Sequence, residues 1–330
     1  MSSLNQLAND VLLNYGMKVE EFKIIQNSGL KTIWKFDYNG KTMCLKRLRH
    51  SKERALFSVN AQVYIQNKAG HVPSIYLNND KDPLTEYNDQ LFVVYEWIDS
   101  KDLNFGKPED FKIAMQALAK FHIESIGYIP PKEAKVSSKI GEWKNQYESM
   151  KKRMLKWKDE ASNNLGNKSH KAYFDNIDSV IEVADLSIEM LEKSSYFEIC
   201  DNELHEFTLC HQDYGVGNVI YSNDGPYVID LDGVTYDLVI RDLRKIIGKK
   251  MQKGGVWKEN IIKATLSYYE KYNKLSPQML ELLKVDLLYP HWFFGEVKNL
   301  YKKNKSISAN KIESIAKLEI SKVNLLKELF

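Results

Sequence analysis

Cysteine is scarce in this 330-residue chain: Cys44, Cys200 and Cys210 are the only three, and none has C-x-x-C spacing. A sparse, odd count excludes a disulfide framework and points to a reducing compartment. No histidine and cysteine cluster has the spacing of zinc ligands. Charge of one sign is also lacking. The net charge of +3 is too small to argue for a nucleic-acid partner. Local runs such as Lys151-Lys152-Arg153 and Lys302-Lys303 read as solvated helix faces. The stretch Met1 to Gln6 carries no basic region leading into a long apolar run, and no segment reaches membrane-spanning length. Together these absences predict a soluble, cytoplasmic protein with no membrane partner. Internal repeats and low-complexity linkers are absent as well.

What is present is a globular composition. Hydrophobic residues make up 43% and aromatics 12% of the chain, enough for a sizeable core and two lobes. Leu4, Leu7, Val11 and Leu12 share a helical face that Gly16 ends. Strand-like segments follow at 22–25, 31–38 and 42–48, the last two joined by Asn39-Gly40, a strong hairpin signal. Ser51 is a cap for a helix running to Ala69, with Gly70 at its end. A strand at 91–94 leads into Tyr95-Glu96-Trp97-Ile98. The rest reads as helical, over about 109–124, 140–160, 170–194, 239–253, 257–273, 277–302 and 308–329. Ser276 and Pro277 suit a helix start, and Pro290 is expected to kink or divide that helix. The prediction is an α+β chain, with a small β-rich part at 1–98 and a larger helical part at 99–330.

The densest chemistry lies at 211–230. His211-Gln212-Asp213 is followed five residues after Asp213 by Asn218, and then by Val228-Ile229-Asp230. H-x-D-x-x-x-x-N is the catalytic-loop pattern of kinases. Phosphoryl transfer needs a carboxylate facing the acceptor hydroxyl, and an amide oxygen and a second carboxylate for Mg2+. Asp213 fits the first role; Asn218 and Asp230 fit the second. Asn223-Asp224-Gly225-Pro226 is turn chemistry between two short strands, a hairpin that would bring Asn218 and Asp230 together. Upstream, Met43-Cys44-Leu45-Lys46 occupies the place of the kinase lysine strand. Strand alternation puts Cys44 and Lys46 on one face, where Lys46 would reach ATP phosphates and Cys44 leave room for adenine. Glu96-Trp97-Ile98 is positioned as the hinge that offers backbone groups to adenine.

Several segments carry a family resemblance: Leu45-Lys46-Arg47, Phe92 to Ile98, Ala117 to His122, His211 to Asn218, Ile229-Asp230-Leu231-Asp232, Arg241-Asp242-Leu243 and Tyr289 to Phe294. The chain resembles the aminoglycoside phosphotransferase and choline kinase-like branch of the protein-kinase-like fold. Within it, the nearest resemblance is to the bacterial spore-coat CotS family. That implies a bilobal fold, ATP and Mg2+ as cofactors, and a place in the mother cell, the forespore or the spore coat. It implies that Asp213 is the base and that His211 braces its loop. Asn218 and Asp230 would hold the metal and Lys46 the phosphates. Asp232 is either a metal assistant or an exposed or salt-bridged carboxylate, and Asp242 a structural brace.

Two departures from the family pattern bear on activity. The phosphate loop is Gln26-Asn27-Ser28-Gly29-Leu30-Lys31, with one glycine, so Ser28 and backbone amides would have to touch phosphate. A glutamate about fifteen residues beyond the lysine normally positions it. Here Asn60 and Gln62 stand in that region, and Gln62 is the expected substitute, able to accept one hydrogen bond. Three readings follow. The first is a small-molecule kinase acting on a hydroxyl; the second is a coat-building pseudokinase; the third is a protein kinase acting on coat proteins. The missing A-P-E-like segment weakens the third. The expected partners are an unidentified hydroxyl acceptor and coat proteins. Trp143, Tyr147, His291, Trp292 and Glu296 are the acceptor-site candidates.

Overall fold

The computed structural model describes residues 3–28, 31–303 and 305–329. Gly29 and Leu30 of the expected phosphate loop lie outside the described residues. In chain order the elements are α1 (Ser3–Leu12), β1 (Lys23–Ser28), β2 (Lys31–Tyr38), β3 (Lys41–Leu48), α2 (Lys52–Asn67), β4 (Ile75–Tyr76), β5 (Thr85–Tyr87), β6 (Gln90–Glu96) and β7 (Lys101–Asp102). There follow α3 (Pro108–Ser125), α4 (Trp143–Ser162), α5 (Lys168–Lys193), α6 (Tyr196–Cys200), β8 (Leu209–Cys210), β9 (Val219–Ser222), β10 (Gly225–Val228) and β11 (Thr235–Tyr236). The chain ends with α7 (Ile240–Gly254), α8 (Glu259–Tyr269), α9 (Pro277–Leu288), α10 (His291–Lys303) and α11 (Ala309–Leu329). Among the described residues no helix is long and apolar enough to cross a membrane.

Contacts divide the chain into two compact units, Met1–Ser138 with His205–Tyr236, and Lys139–Leu204 with Asp237–Phe330. The expected lobe boundary at 98/99 follows strand and helix content, and the compact units do not part there. The reason is that 205–236 bonds back to the first 138 residues. Gly127 N–H donates to His205 O at 2.8 Å, Val228 N–H to His71 O at 2.9 Å, and the Tyr214 hydroxyl to Ala114 O at 2.7 Å.

The first unit is built on an antiparallel sheet of order β1-β2-β3-β6-β4, with β5 also pairing β6. Asn39 and Gly40 both take left-handed φ, 50° and 73°, the turn that matches strand twist. In β2 the alternation puts Trp34 and Phe36 on one face, where they pack with Leu45, Phe92 and Val94 against Val11 and Leu12 of α1. Burying side chains such as Leu45 and Val94 stabilises the unit by about 1.5–3 kcal/mol each. Leu48, Ala55, Val59, Leu91 and Val93 form a second cluster that joins α2 to the sheet. α2 is shorter at its end than expected. Ala69, not Gly70, takes the left-handed φ of 57°. Gly70 N–H returns to Ile65 O at 3.0 Å, and a Cβ there would sit 2.4 Å from Ile65 Cγ2. Glycine is needed at 70 for this close approach, not for its φ. Ser51 precedes α2 in extended conformation but makes no side-chain cap bond.

The second unit is helical. The expected helix over 277–302 is divided: α9 stops at Leu288 and α10 starts at His291. Pro290 lacks an N–H, and the residue before it, Tyr289, is extended with ψ 136°. Ser276 caps α9 by accepting from Met279 N–H at 3.2 Å. Asn167 caps α5 through Ser169 N–H at 2.9 Å.

Candidate active site

The hairpin does what its turn residues predict. β9 and β10 pair Val219 with Val228, and Ile229 N–H donates to Asn218 O at 3.0 Å, so Asn218 and Asp230 stand at adjoining strand ends. The Asn218 side-chain N–H donates to Asp213 O at 2.9 Å, which ties the 211–218 loop to the hairpin. His211 braces the same loop. It is buried between the rings of Phe121 and Tyr214, and its Nε2 lies 2.9 Å from Ile229 O. Gln212 and Asp230 hold left-handed φ of 70° and 62° although neither is glycine. Such conformations persist only where surrounding contacts over-determine them, and they cluster at functional sites. Asp213 is exposed at the loop surface.

Lys46 is the electrostatic centre. Its side chain is 9% exposed, and its Nζ lies 2.7 Å from Asp230 Oδ1 and 2.7 Å from Asp232 Oδ1. Lys31 Nζ adds a contact of 3.2 Å to Asp230 Oδ2. Burial alone would discharge the lysine, but Asp232 and Asp230 outweigh it and raise its pKa. Burial works against the Asp230 carboxylate too, yet Lys46 and then Lys31 hold it well below the usual carboxylate range. Both groups stay ionised at neutral pH. Burial pushes the neighbouring Cys44 thiol to about 12, so it is not a thiolate nucleophile.

The substitute contact expected from Gln62 is replaced by another. The Gln62 side-chain N–H donates to Pro73 O at 2.7 Å, and Lys46 turns to Asp230 and Asp232 instead. The D-x-D spacing of 230 and 232 carried this signal, since one residue between two acids lets a tight turn present both. Lys31 was not singled out as a carboxylate partner; its place as the last residue of the expected phosphate loop was the available hint.

A cavity of about 460 Å3 gathers Lys46, Gln62, Glu96, Ile98, Asn218 and Asp230. Ile33, Cys44, Ile220 and Leu231 give it apolar walls. Cys44 and Lys46 share this face as alternation requires. Ser28, His211 and Asp213 do not line it. Ser28 is exposed at the end of β1, where its hydroxyl accepts from Gln26 Nε2 at 3.2 Å. At the hinge, Glu96 N–H is taken by Ser74 O at 2.8 Å and Trp97 N–H by Thr42 O at 3.1 Å.

The acceptor candidates of the second unit are placed differently from the expectation. Trp143 and Tyr147 are fully buried. Trp143 Nε1–H donates to Asp237 at 2.8 Å, and the Tyr147 hydroxyl donates to Asp286 at 2.5 Å. Asp286 also accepts from Arg241 at 2.9 Å, Arg244 at 3.1 Å and His291 Nε2 at 2.8 Å. Trp292 has its indole against Gly248, where an added Cβ would fall 1.5 Å from the ring. Glu296 is half-buried on the same helix. Trp143 Nε1, the Tyr147 hydroxyl and His291 Nε2 are thus each bonded to a carboxylate inside the unit.

His291 sets a pH dependence. Burial, and then Arg244, lower its pKa from the ordinary 6.5 to about 3, and the opposing pull of Asp286 offsets only part of this. The folded state keeps the ring neutral while the unfolded state protonates it. Stability is therefore expected to fall as pH drops below 6.5 toward 3, by up to about 1.4 kcal/mol per pH unit from this group. Urea unfolding between about pH 7 and pH 5 checks this. The slope should flatten in His291→Gln, and an unchanged slope contradicts the assignment.

Comparison with known proteins agrees with the geometry. The chain is 23% identical over 329 residues to Spore coat protein S of Bacillus subtilis (strain 168), covering 98% of this chain and 94% of that protein. Among solved structures it is similar to an aminoglycoside phosphotransferase from Alicyclobacillus acidocaldarius. There the TM-score is 0.74 at 14% identity, over 97% of this chain and 94% of the other. It is also similar to an amicoumacin kinase, hAmiN, solved in complex with AMP-PNP, Ca2+ and Ami. That match has a TM-score of 0.63 at 14% identity, over 97% and 94% of the two chains. At these identities the structural matches establish the fold, which is the α+β protein-kinase-like fold of small-molecule phosphotransferases. The description of a spore coat putative kinase, YutH, matches residues 9–328, and the chain belongs to that spore-coat kinase family.

Proposed function

We propose that the 460 Å3 cavity binds ATP with a divalent cation, Mg2+ in the cell. We further propose that the protein transfers the terminal phosphoryl group to a hydroxyl of a small molecule, in association with the spore coat. The observation that carries the reading is the convergence of a charged, buried lysine, an ionised carboxylate and an asparagine on one apolar-walled cavity beside a hinge strand. The oxygen donors of Asp230 and Asn218 suit a hard divalent cation. Asn218 spends its side-chain N–H on Asp213 O, which orients its amide oxygen for a ligand. Held by Asp230 and Asn218, such a cation would supply positive charge to offset that of the phosphates. Lys46 would meet the phosphates. The Glu96 and Trp97 amides are spent in the sheet, so Ile98 N–H is the hinge donor assigned to adenine. Asp213, exposed and held by Asn218, would orient the acceptor hydroxyl and take its proton. α7 begins at Ile240, so only 231–239 separate it from Asp230. That leaves no platform for a peptide and favours a small acceptor over a protein.

A pseudokinase reading is favoured by one observation: α2 offers no acid to Lys46, and Gln62 is turned to Pro73. Release of ADP from magnesium-ATP, followed across a panel of sugars and amino alcohols, separates the two. Acceptor-dependent ADP release that requires magnesium is the expected result. Nucleotide binding with no release for any acceptor would overturn transfer in favour of the scaffold.

A further inference from the structure

A second cavity, of about 300 Å3, lies in the same unit. Asp232 stands between the two: its carboxylate touches Lys46 of the first cavity and lines the second. Arg54, Phe57 and Ser58 of α2 line one wall at helical spacing, with His50 just before the helix. The opposite wall is Lys135–Ser137 and the turn at Asp232–Val234. These walls are fixed. Lys135 N–H donates to Glu53 O at 2.9 Å, the Ser137 hydroxyl to Thr235 Oγ1 at 2.8 Å, and Tyr236 N–H to Ser137 O at 2.9 Å. The Phe57 ring packs on Tyr128 and Tyr236 at 5.5 and 5.7 Å.

The charge is unbalanced. Arg54 and Lys135 line the cavity as cations with His50 beside them as a hydrogen-bonding ring, and Asp232 is already paired with Lys46. Glu53 lies near Lys135 and Lys52 and offsets part of this charge. Cations of this kind around a walled cavity match a phosphate, which an arginine fork binds through two parallel hydrogen bonds. We propose that this cavity is a binding site for a small phosphorylated molecule. Its phosphate is held by Arg54, Lys135 and His50, and a hydroxyl or amine is presented to Asp232. The site places a ligand one side chain away from Lys46, and it does not require that transfer occurs.

Titration of the whole protein with glycerol 3-phosphate at constant ionic strength, read by phosphorus NMR line width and by thermal unfolding, tests it. Saturable binding is expected, with uncharged glycerol giving none. Arg54→Ala and Lys135→Ala should each weaken binding about tenfold or more, through the loss of charge-assisted hydrogen bonds. Lys52→Ala, on the same helical turn but outside the cavity, should change nothing. Non-saturable binding overturns the proposal, as does equal weakening by Lys52→Ala or full binding in the Arg54 and Lys135 double variant. The magnesium-ATP thermal shift should persist in Arg54→Ala; loss of both responses would mean that the phosphate reports the first cavity or a damaged fold. Failure of the nucleotide reading shows separately, as no magnesium-ATP shift in the wild type.

Discussion

Asp286→Ala is expected to destabilise the protein by about 3–5 kcal/mol, the cost of leaving buried charge uncompensated. Asp286 is fully buried on α9, and burial would favour its neutral form. Arg241 and Arg244 overcome that and hold its pKa well below the usual range. Alanine removes the acceptor of four donors at once. Arg241 would keep Asp237 at 3.2 Å, whereas Arg244 has no other acidic partner among the described residues. The Tyr147 hydroxyl would lose its acceptor in a dry interior as well. Urea unfolding of the variant against wild type measures the loss. A cost below about 1 kcal/mol would mean that water reaches the guanidinium groups, which contradicts the burial described.

Asp213→Asn is expected to slow transfer about 10²–10⁴-fold, the usual contribution of a positioned general base. Stabilisation by magnesium-ATP should stay within error of wild type. The separation follows from geometry. Asp213 is exposed and does not line the 460 Å3 cavity proposed for the nucleotide, and its link to the hairpin runs through its backbone oxygen and the Asn218 amide. Replacing the side chain removes a proton acceptor and leaves that link. Steady-state ADP release with the acceptor found in the panel, beside thermal shifts of both proteins, makes the comparison. Full turnover in the variant would remove Asp213 as the base.

Legibility in the sequence followed the range of the interaction. Asn39-Gly40, Asn223 to Pro226 and Pro290 act on their immediate neighbours, so both hairpins and the break between α9 and α10 could be read from residue type. The placing of Asn218 beside Asp230 was legible for the same reason, since a tight hairpin fixes its own register. Gln62 was misread because sequence distance from Lys46 fixes its helix but not its rotamer, and Pro73 O is a better-placed acceptor. Asp286 was not singled out at all. It sits in an apolar helix, and its partners at 147, 241, 244 and 291 come from elements far apart in the chain. The acceptor candidates on those elements were read as site residues because aromatic and charged types serve a buried network as well as a ligand. The second cavity was hidden likewise, since Lys135 N–H is tied to Glu53 O of α2 by a backbone bond that any side chain permits.

Thermal unfolding with and without magnesium-ATP, on wild type and Asp230→Asn, tests the nucleotide site most directly. Asp232 remains to pair Lys46 in the variant, so the fold should be kept. At about a hundred times its dissociation constant the ligand should stabilise the wild type by about 2.7 kcal/mol, and the magnesium-dependent part should be absent in Asp230→Asn. A shift of equal size in both proteins, or none in the wild type at millimolar nucleotide, would contradict the assignment of this cavity.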